Sequence, residues 1–501
     1  MYSSTARTLL LAMLTIMLGC SSSSEKEGPQ THEVPADYST IQQAINAADN
    51  GDVIVVSPGT YEENIDFKGK DIGLRSADPE DPETVSATII VGQGNGTVVT
   101  MQSGESSNSA LEGFTITGGE ASRHGGGMII DGSSPVIRGN IIEENTAQRG
   151  AGAFVTNGAS PFFDSNTFRR NHATSRHGAG IYVADESQVV IENNTFKNHD
   201  DVDGVISIGA SSTDDCNAVI SGNIITDNTS DYGTGGISVR GSTAEITDNI
   251  LERNIGAGAI DAAGAVTIRR ESTALINHNT ITENRAQNFG AVLIAEDSTA
   301  ELYDNEIKNN NAGTDIESKD GSGGGIAVSS SDAIISSNTI TDNTAWNTNS
   351  GGGGIYIRES TAFIDSNTIF RNRATRSGGG IYLRGHGFQT DAVVEIINNT
   401  ISDNTAEGHS DASGGGINIG NIVEATIHGN TIDLNYAEKF GGGVYVTDVD
   451  EVPLLGPAET PWSRENSPPG DEVHNNYNNN EHSVDECGGA DVFFRENYPC
   501  D

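Results

Sequence analysis

Two residue pairs in the second half of the chain have the types and spacing to hold an acidic sugar. Tyr356 and Arg358 stand two apart, and Tyr382 and Arg384 repeat the pattern on a similar segment downstream. Flat phenol rings stack on sugar faces, and planar guanidinium forks match carboxylates or sulfates. The connection from Arg384 to Val393 is longer than its counterparts and carries His386, Phe388 and Asp391 beside the second pair. Three further loops lengthen in this half, from Asn311 to Ser322, Thr344 to Ser350 and Thr405 to Ser413, bringing Lys319, Trp346, Arg376 and His409 alongside. Long loops on a regular scaffold are a usual place for function. An ordinary exposed strand face with stacked tyrosines accounts for the same residues without any ligand. A glycosidase would need two carboxylates facing across a cleft. No such pair stands out, so catalytic residues are left unassigned.

What positions these residues is a repeat. Eleven asparagines anchor it, Asn140, Asn166, Asn194, Asn223, Asn249, Asn279, Asn305, Asn338, Asn367, Asn399 and Asn430, with a mean period of 29 residues. Positions three before and two after each anchor are apolar throughout, from Ile137 and Ile142 to Ile427 and Ile432. The position five after is asparagine in ten of the eleven units, His199 being the exception. Apolar positions alternating with polar ones, separated by short turns, mean strands with one face inward. Upstream of each anchor a glycine cluster leads into another short strand, as in Gly352-Gly353-Gly354-Ile355-Tyr356-Ile357. Three short strands per repeat without helical periodicity make one coil of a solenoid, whose core comes only from stacking. The anchors are expected to form amide ladders from coil to coil. The glycines are expected at tight turns with positive φ, since they lack the setting of a phosphate loop. Along the glycine-led strand the outward stripe reads Ile129, Phe154, Tyr182, Ser207, Ser238, Thr267, Leu293, Ala327, Tyr356, Tyr382, Asn418 and Tyr445. Arg270 with Glu296, on successive coils, predicts a charge ladder between rungs.

Over about residues 34–450 this pattern resembles right-handed parallel β-helix proteins of the pectate-lyase-like kind. The segment from Val34 to Asp49, then Gly51-Asp52-Val53-Ile54-Val55-Val56 and Pro58-Gly59-Thr60-Tyr61, looks like that family's N-terminal cap. Ser39 with Gln42 forms a capping box, Ile41, Ala44, Ile45 and Ala48 form one apolar face, and Gly51 ends the helix, at about 39–50. Such a helix covers the open first coil against edge-to-edge association. The expected fold is all-β, a single-stranded right-handed parallel β-helix of about 14 coils and roughly 65 Å at about 4.8 Å per strand. After Asp450, Pro453, Pro457, Pro461, Pro468 and Pro469 and a run dense in asparagine predict an irregular C-terminal cap over 451–501. By resemblance, related lyases abstract a proton beside a uronic carboxylate with Lys or Arg, and calcium is the cofactor such chemistry calls on. The fold hosts many functions, and no catalytic motif carries over residue by residue.

The first 19 residues read as an address: Arg7, a short apolar run from Leu9 to Leu18, then Gly19-Cys20. Met17-Leu18-Gly19-Cys20 resembles a bacterial lipobox with Met where Leu is usual, which implies lipidation of Cys20 and an outer-membrane lipoprotein on a polar tether, residues 20–33. Cys487 and Cys500 are close enough in the tail to bridge in an oxidising compartment, and Cys216 is left as a free thiol. With 70 acidic against 27 basic residues, the net charge of −43 argues against nucleic acid as a partner. The expected protein is a monomer, held to the membrane by its lipid alone, whose partner is a polysaccharide or another surface ligand bound without catalysis. A polysaccharide lyase or related glycan-active enzyme is the alternative, and a purely structural surface rod the third.

Overall fold

The computed structural model describes residues 28–175, 177–201, 203–210, 214–257, 262–313, 321–346, 351–385, 393–420 and 424–447, with the backbone of 454–455, 472–474, 477–478 and 492–494. His386, Phe388, Asp391, Lys319, Cys20, Cys487 and Cys500 lie outside these residues. The chain winds as an all-β, right-handed parallel solenoid of about twelve turns. Each sheet follows the chain coil by coil, and every strand pairs in parallel with its counterparts in the coils before and after it.

The coils hold one strand more than the periodicity predicts. The coil from Thr273 runs Thr273–Asn277, Thr280–Thr282, Arg285–Ala286 and Val292–Ala295. These belong to a pre-anchor sheet of 16 strands, a post-anchor sheet of 15, a two-residue sheet of 12 and the glycine-led sheet of 15. The unexpected strand is the two-residue one. At that length it carries no alternation to detect, although its Thr-Ala or Arg-Ala pairs recur. The inner face of each coil is filled by single residues such as Ile276, Ile281, Ala286, Val292 and Ile294, all without exposure. Burying such an isoleucine contributes roughly 1.5–3 kcal/mol.

Many corners between strands are set by a residue of left-handed conformation followed by a buried asparagine. Asp304 (φ 53°) precedes Asn305, and Asn309 (φ 55°) precedes Asn310. The expected amide ladders are present: Asn279 Nδ2 donates to Asn305 Oδ1 at 3.0 Å and Asn305 Nδ2 to Asn338 Oδ1 at 2.9 Å. A second ladder runs through the asparagines five positions on, as in Asn310 Nδ2 to Asn343 Oδ1 at 3.0 Å. A third, of hydroxyls, was not anticipated. The backbone N–H groups of Cys216, Ser242, Ser272, Ser298 and Ser331 donate to the hydroxyls of Ser242, Ser272, Ser298, Ser331 and Ser360. Cys216 therefore takes a serine's place in this row, free and buried, and burial pushes its thiol up to about 11. In the glycine clusters the first residue takes the turn, as with Gly352 at φ +76°, while the next is packed too closely for a side chain. A Cβ on Gly353 would lie 2.4 Å from the Gly379 carbonyl oxygen.

The N-terminal helix α1 (Ile41–Ala47) covers the first coil, with Ile41, Ala44 and Ile45 buried. Its cap is one residue later than the sequence suggests: Thr40 is the N-cap and accepts from the Gln43 N–H, while the Ser39 hydroxyl donates to Gln43 Oε1. Glu63 accepts from the N–H groups of Ile41 and Gln42, and the Lys70 ammonium donates to the carbonyls of Ile45, Asn46 and Ala48. Both helix ends are thus satisfied from the coil below. The pre-anchor sheet includes the strand Thr31–Val34, which starts ahead of residue 34. A second helix, α2 (Pro82–Ala87), capped by Asp81, was not foreseen. In the C-terminal segment, Leu454–Leu455, Glu472–His474, Tyr477–Asn478 and Val492–Phe494 each add a strand to one of the four sheets. No helix among the described residues is long and apolar enough to cross a membrane.

Candidate functional site

The outward stripe of the glycine-led sheet forms as one register row: Ile129, Phe154, Tyr182, Ser207, Ser238, Thr267, Leu293, Ala327, Tyr356, Tyr382, Asn418 and Tyr445 pair rung to rung. The expectation of an open aromatic platform needs correction. Tyr356 is only 3% exposed, packed in an apolar cluster with Phe289, Leu293 and Ala327, and Tyr382 is half-buried against it. The two rings meet at 5.6 Å and 42°, a tilted pair and not a flat face. The row is covered because residues from the loops that enter the glycine clusters, such as Phe289, fold back over it. Phe289 stands two coils before Tyr356, so its part in covering that ring leaves no trace in the sequence around Tyr356.

Arg358 and Arg384, two residues on in each strand, are exposed and in register. Arg358 Nε donates to the Ser329 hydroxyl at 3.1 Å. Among the described residues neither guanidinium has a carboxylate within ion-pair distance, whereas Arg138, Arg169, Arg170, Arg253, Arg270, Arg371, Arg373 and Arg376 do. Burial pushes both phenols up, and Arg384 opposes it for each. The tyrosines thus remain neutral walls, and the charge available to a ligand is that of the two arginines. Trp346 is 44% exposed with the Arg373 guanidinium 5.0 Å over its ring. Arg376 lies 3.9 Å from Asp411, whose N–H donates to His409. The Arg270–Glu296 ladder forms at 3.5 Å.

Toward the N-terminus the same face carries a network that sequence reasoning missed. His124 stacks on Phe154 at 4.6 Å, Phe154 on Tyr182 at 5.4 Å, and His177 on Tyr182 at 5.3 Å. Arg240, 2% exposed, donates from Nη1 to His177 Nδ1 at 2.9 Å and forms an ion pair with Asp203. Arg269 approaches the same carboxylate at 3.3 Å. Burial, then Arg240 and neighbouring arginines, push His177 down to about 3, and burial with Asp214 pushes Tyr182 up to about 12. The only sequence signal was the alternation in Ile237-Ser238-Val239-Arg240, which turns Arg240 to the outer face; Asp203 comes from a loop with no pattern. With its Nδ1 lone pair committed to a guanidinium, His177 is not a free base at that atom. Among the described residues no group of three or more His, Cys, Asp or Glu side chains converges as metal ligands.

Structural comparison finds distant likenesses. The A-module of the Azotobacter vinelandii mannuronan C-5 epimerase AlgE6 is 12% identical, with 87% of this chain and 93% of that one covered at a TM-score of 0.27. A mutant of the PL6 family alginate lyase AlyGC is also 12% identical, with 85% and 84% covered at a TM-score of 0.24. At these values the likeness says nothing of chemistry at any residue. No curated protein sequence matches the chain. The model of the family described as "Right handed beta helix region" matches residues 84–269 and 164–452. Together with the coil-by-coil parallel ladders, that match over most of its length makes this chain a member of the right-handed β-helix family.

Proposed function

We propose that this β-helix is a cell-envelope lipoprotein, anchored through a lipid on Cys20, that binds an acidic polysaccharide without catalysis. Arg358 and Arg384 grip the anionic groups, Tyr356 and Tyr382 wall the site, and the loop with His386 and Asp391 lies next to them in sequence. One observation carries the reading. In a chain with 70 acidic and 27 basic residues, two adjacent exposed guanidiniums lack any carboxylate partner among the described residues. Planar donors on neighbouring rungs, with no carboxylate to neutralise them among the described residues, are suited to carboxylates or sulfates spaced along a polymer. Retention on immobilised polygalacturonate tests it. Arg358→Ala with Arg384→Ala should weaken retention tenfold or more, and Tyr356→Ala with Tyr382→Ala should also lower it. Unchanged retention of the arginine variant across uronate and sulfated polymers sinks the reading. The anchor is tested separately: Cys20→Ser should move the protein from the membrane fraction to the soluble one.

A second reading, a polysaccharide lyase or related glycan-active enzyme, is favoured by the Tyr182–His177–Arg240–Asp203 network. Buried charged groups are costly and concentrate where chemistry is done. Incubation with alginate, pectate and glycosaminoglycans, with calcium added, should then release unsaturated products that absorb in the ultraviolet. Silence over that panel, with retention intact, leaves binding alone.

A further inference from the structure

The arginines without a carboxylate partner are not confined to one end of the face. Arg123, exposed, and Arg149, half-buried, stand on adjacent rungs, joined by the Arg149 N–H donating to the Arg123 carbonyl at 3.1 Å and by the His124–Arg149 bridge. Like Arg358 and Arg384, neither has a carboxylate within ion-pair distance among the described residues. Asp185, the acid that acts on His124, is engaged by the Thr156 hydroxyl. Both guanidiniums act electrostatically on His124, whose ring caps the stack through Phe154 to Tyr182. As downstream, two guanidiniums without a carboxylate partner among the described residues stand on neighbouring rungs beside aromatic rings of the outward row, although here Arg149 pairs with His124 and Arg123 lies one position out of register. Between the two lie the small residues Ser207, Ser238, Thr267 and Ala327 with Leu293, and the arginines there are already in ion pairs, Arg240 and Arg269 sharing Asp203 and Arg270 with Glu296. Phe154 and Tyr356 are seven rungs apart, about 34 Å at about 4.8 Å per strand.

We propose that Arg123 and Arg149 with His124 and Phe154 form a second anionic-sugar site, and that one linear acidic polysaccharide lying along the solenoid axis occupies both sites at once. This rests on the polysaccharide-binding reading of Arg358 and Arg384. A linear polyanion is the occupant because both pairs flank the same straight outward row, Arg149 ahead of Phe154 and Arg358 after Tyr356, and because only a chain with charge at each end of a span of about 34 Å satisfies both. Binding is then bivalent, and a ligand long enough to bridge gains affinity over a short one with no new type of contact.

The test uses the full chain and size-fractionated oligogalacturonates, with affinity and stoichiometry from titration calorimetry. The wild type should bind two short oligomers per chain weakly and one long oligomer on the order of a hundredfold more tightly. Arg123→Gln with Arg149→Gln should reduce short-oligomer stoichiometry from two to one and remove the gain with length, leaving the remaining site's affinity as it was. Arg358→Gln with Arg384→Gln should do the same from the other end. Thermal midpoints within a few degrees of wild type verify folding, and Arg123→Glu alone, at an exposed position, repeats the test if the double variant is unstable. Unchanged stoichiometry and length dependence in the Arg123/Arg149 variant overturns the second site while leaving the first. Absence of binding by any fraction to the wild type overturns the underlying reading instead.

Discussion

His199 is the one residue that interrupts the second asparagine ladder, and its surroundings dictate its protonation. Its Nδ1 meets Asn228 Oδ1 at 3.0 Å and so donates, while its Nε2 meets Asn171 Nδ2 at 3.3 Å and so accepts. A proton on Nε2 would face another donor. Fully buried, with no charged group facing it, the ring is held down to about 4 by burial, against 6.5 when free. As pH falls below 6.5 the unfolded chain takes up the proton and the folded one does not. Stability is therefore whole above pH 6.5, declines through the window and levels off near 4, a loss of about 3 kcal/mol. His177, held down to about 3, acts with the same sign. His199→Asn restores the ladder's own residue and should remove its share of the decline. Urea midpoints of both proteins at pH 7, 5.5 and 4.5 measure this; parallel curves for the two would refute it. At this scale the sequence identified His199 as an exception and Arg358 and Arg384 as a pair. It said nothing of Asp203, which reaches Arg240 from a loop.

The strands owe their positions to the side-chain ladders at the corners as much as to their own pairing. Asn305 shows why. Its Oδ1 accepts from both the backbone and side-chain N–H of Asn279, and its Nδ2 donates to the Ile276 carbonyl and to Asn338. Asn305→Ala would strand these groups in a dry corner beside a left-handed residue, at a cost of about 2–4 kcal/mol. Thr299→Ala, on the exposed outer face of the same coil, should stay within about 0.5 kcal/mol. Denaturant titration of the two variants distinguishes a structural ladder from an incidental one. The ladders were legible because the need for an amide at each corner fixes residue type at a fixed spacing. The fourth strand and the short helix α2 were not, since two residues have no period and α2 is held by its contact with the coil beneath. The cap of α1 shifted by one residue because Ser39, Thr40, Gln42 and Gln43 offer overlapping capping patterns.

For the whole molecule the net charge of −43 opposes the ligand that the arginine pairs attract. The repulsion acts over the length of the rod, the attraction over a few ångströms. Salt shortens the first more than the second, since the screening length falls from about 30 Å at 0.01 M to about 8 Å at 0.15 M. Affinity for a polyuronate should therefore rise between those concentrations, the reverse of what a basic protein shows. Affinity that falls steadily from the lowest salt would mean that the local pairs dominate throughout. The fold was legible from the repeat alone, but which part of its surface is open was not. Coverage of the Tyr356 row depends on where distant loops return.

Because each strand pairs only with its counterparts in the coils before and after it, the distance between the two arginine pairs is quantised. Coils as compact as the one from Asn279 to Asn305, 26 residues apart, form a complete rung with its own ladder members. Duplicating or deleting such a unit between the sites would change their separation by one strand spacing, about 4.8 Å, and leave both sites internally intact. The solenoid is in that sense a ruler with fixed graduations, and the oligomer length at which bridging begins should move by whole steps with the number of coils.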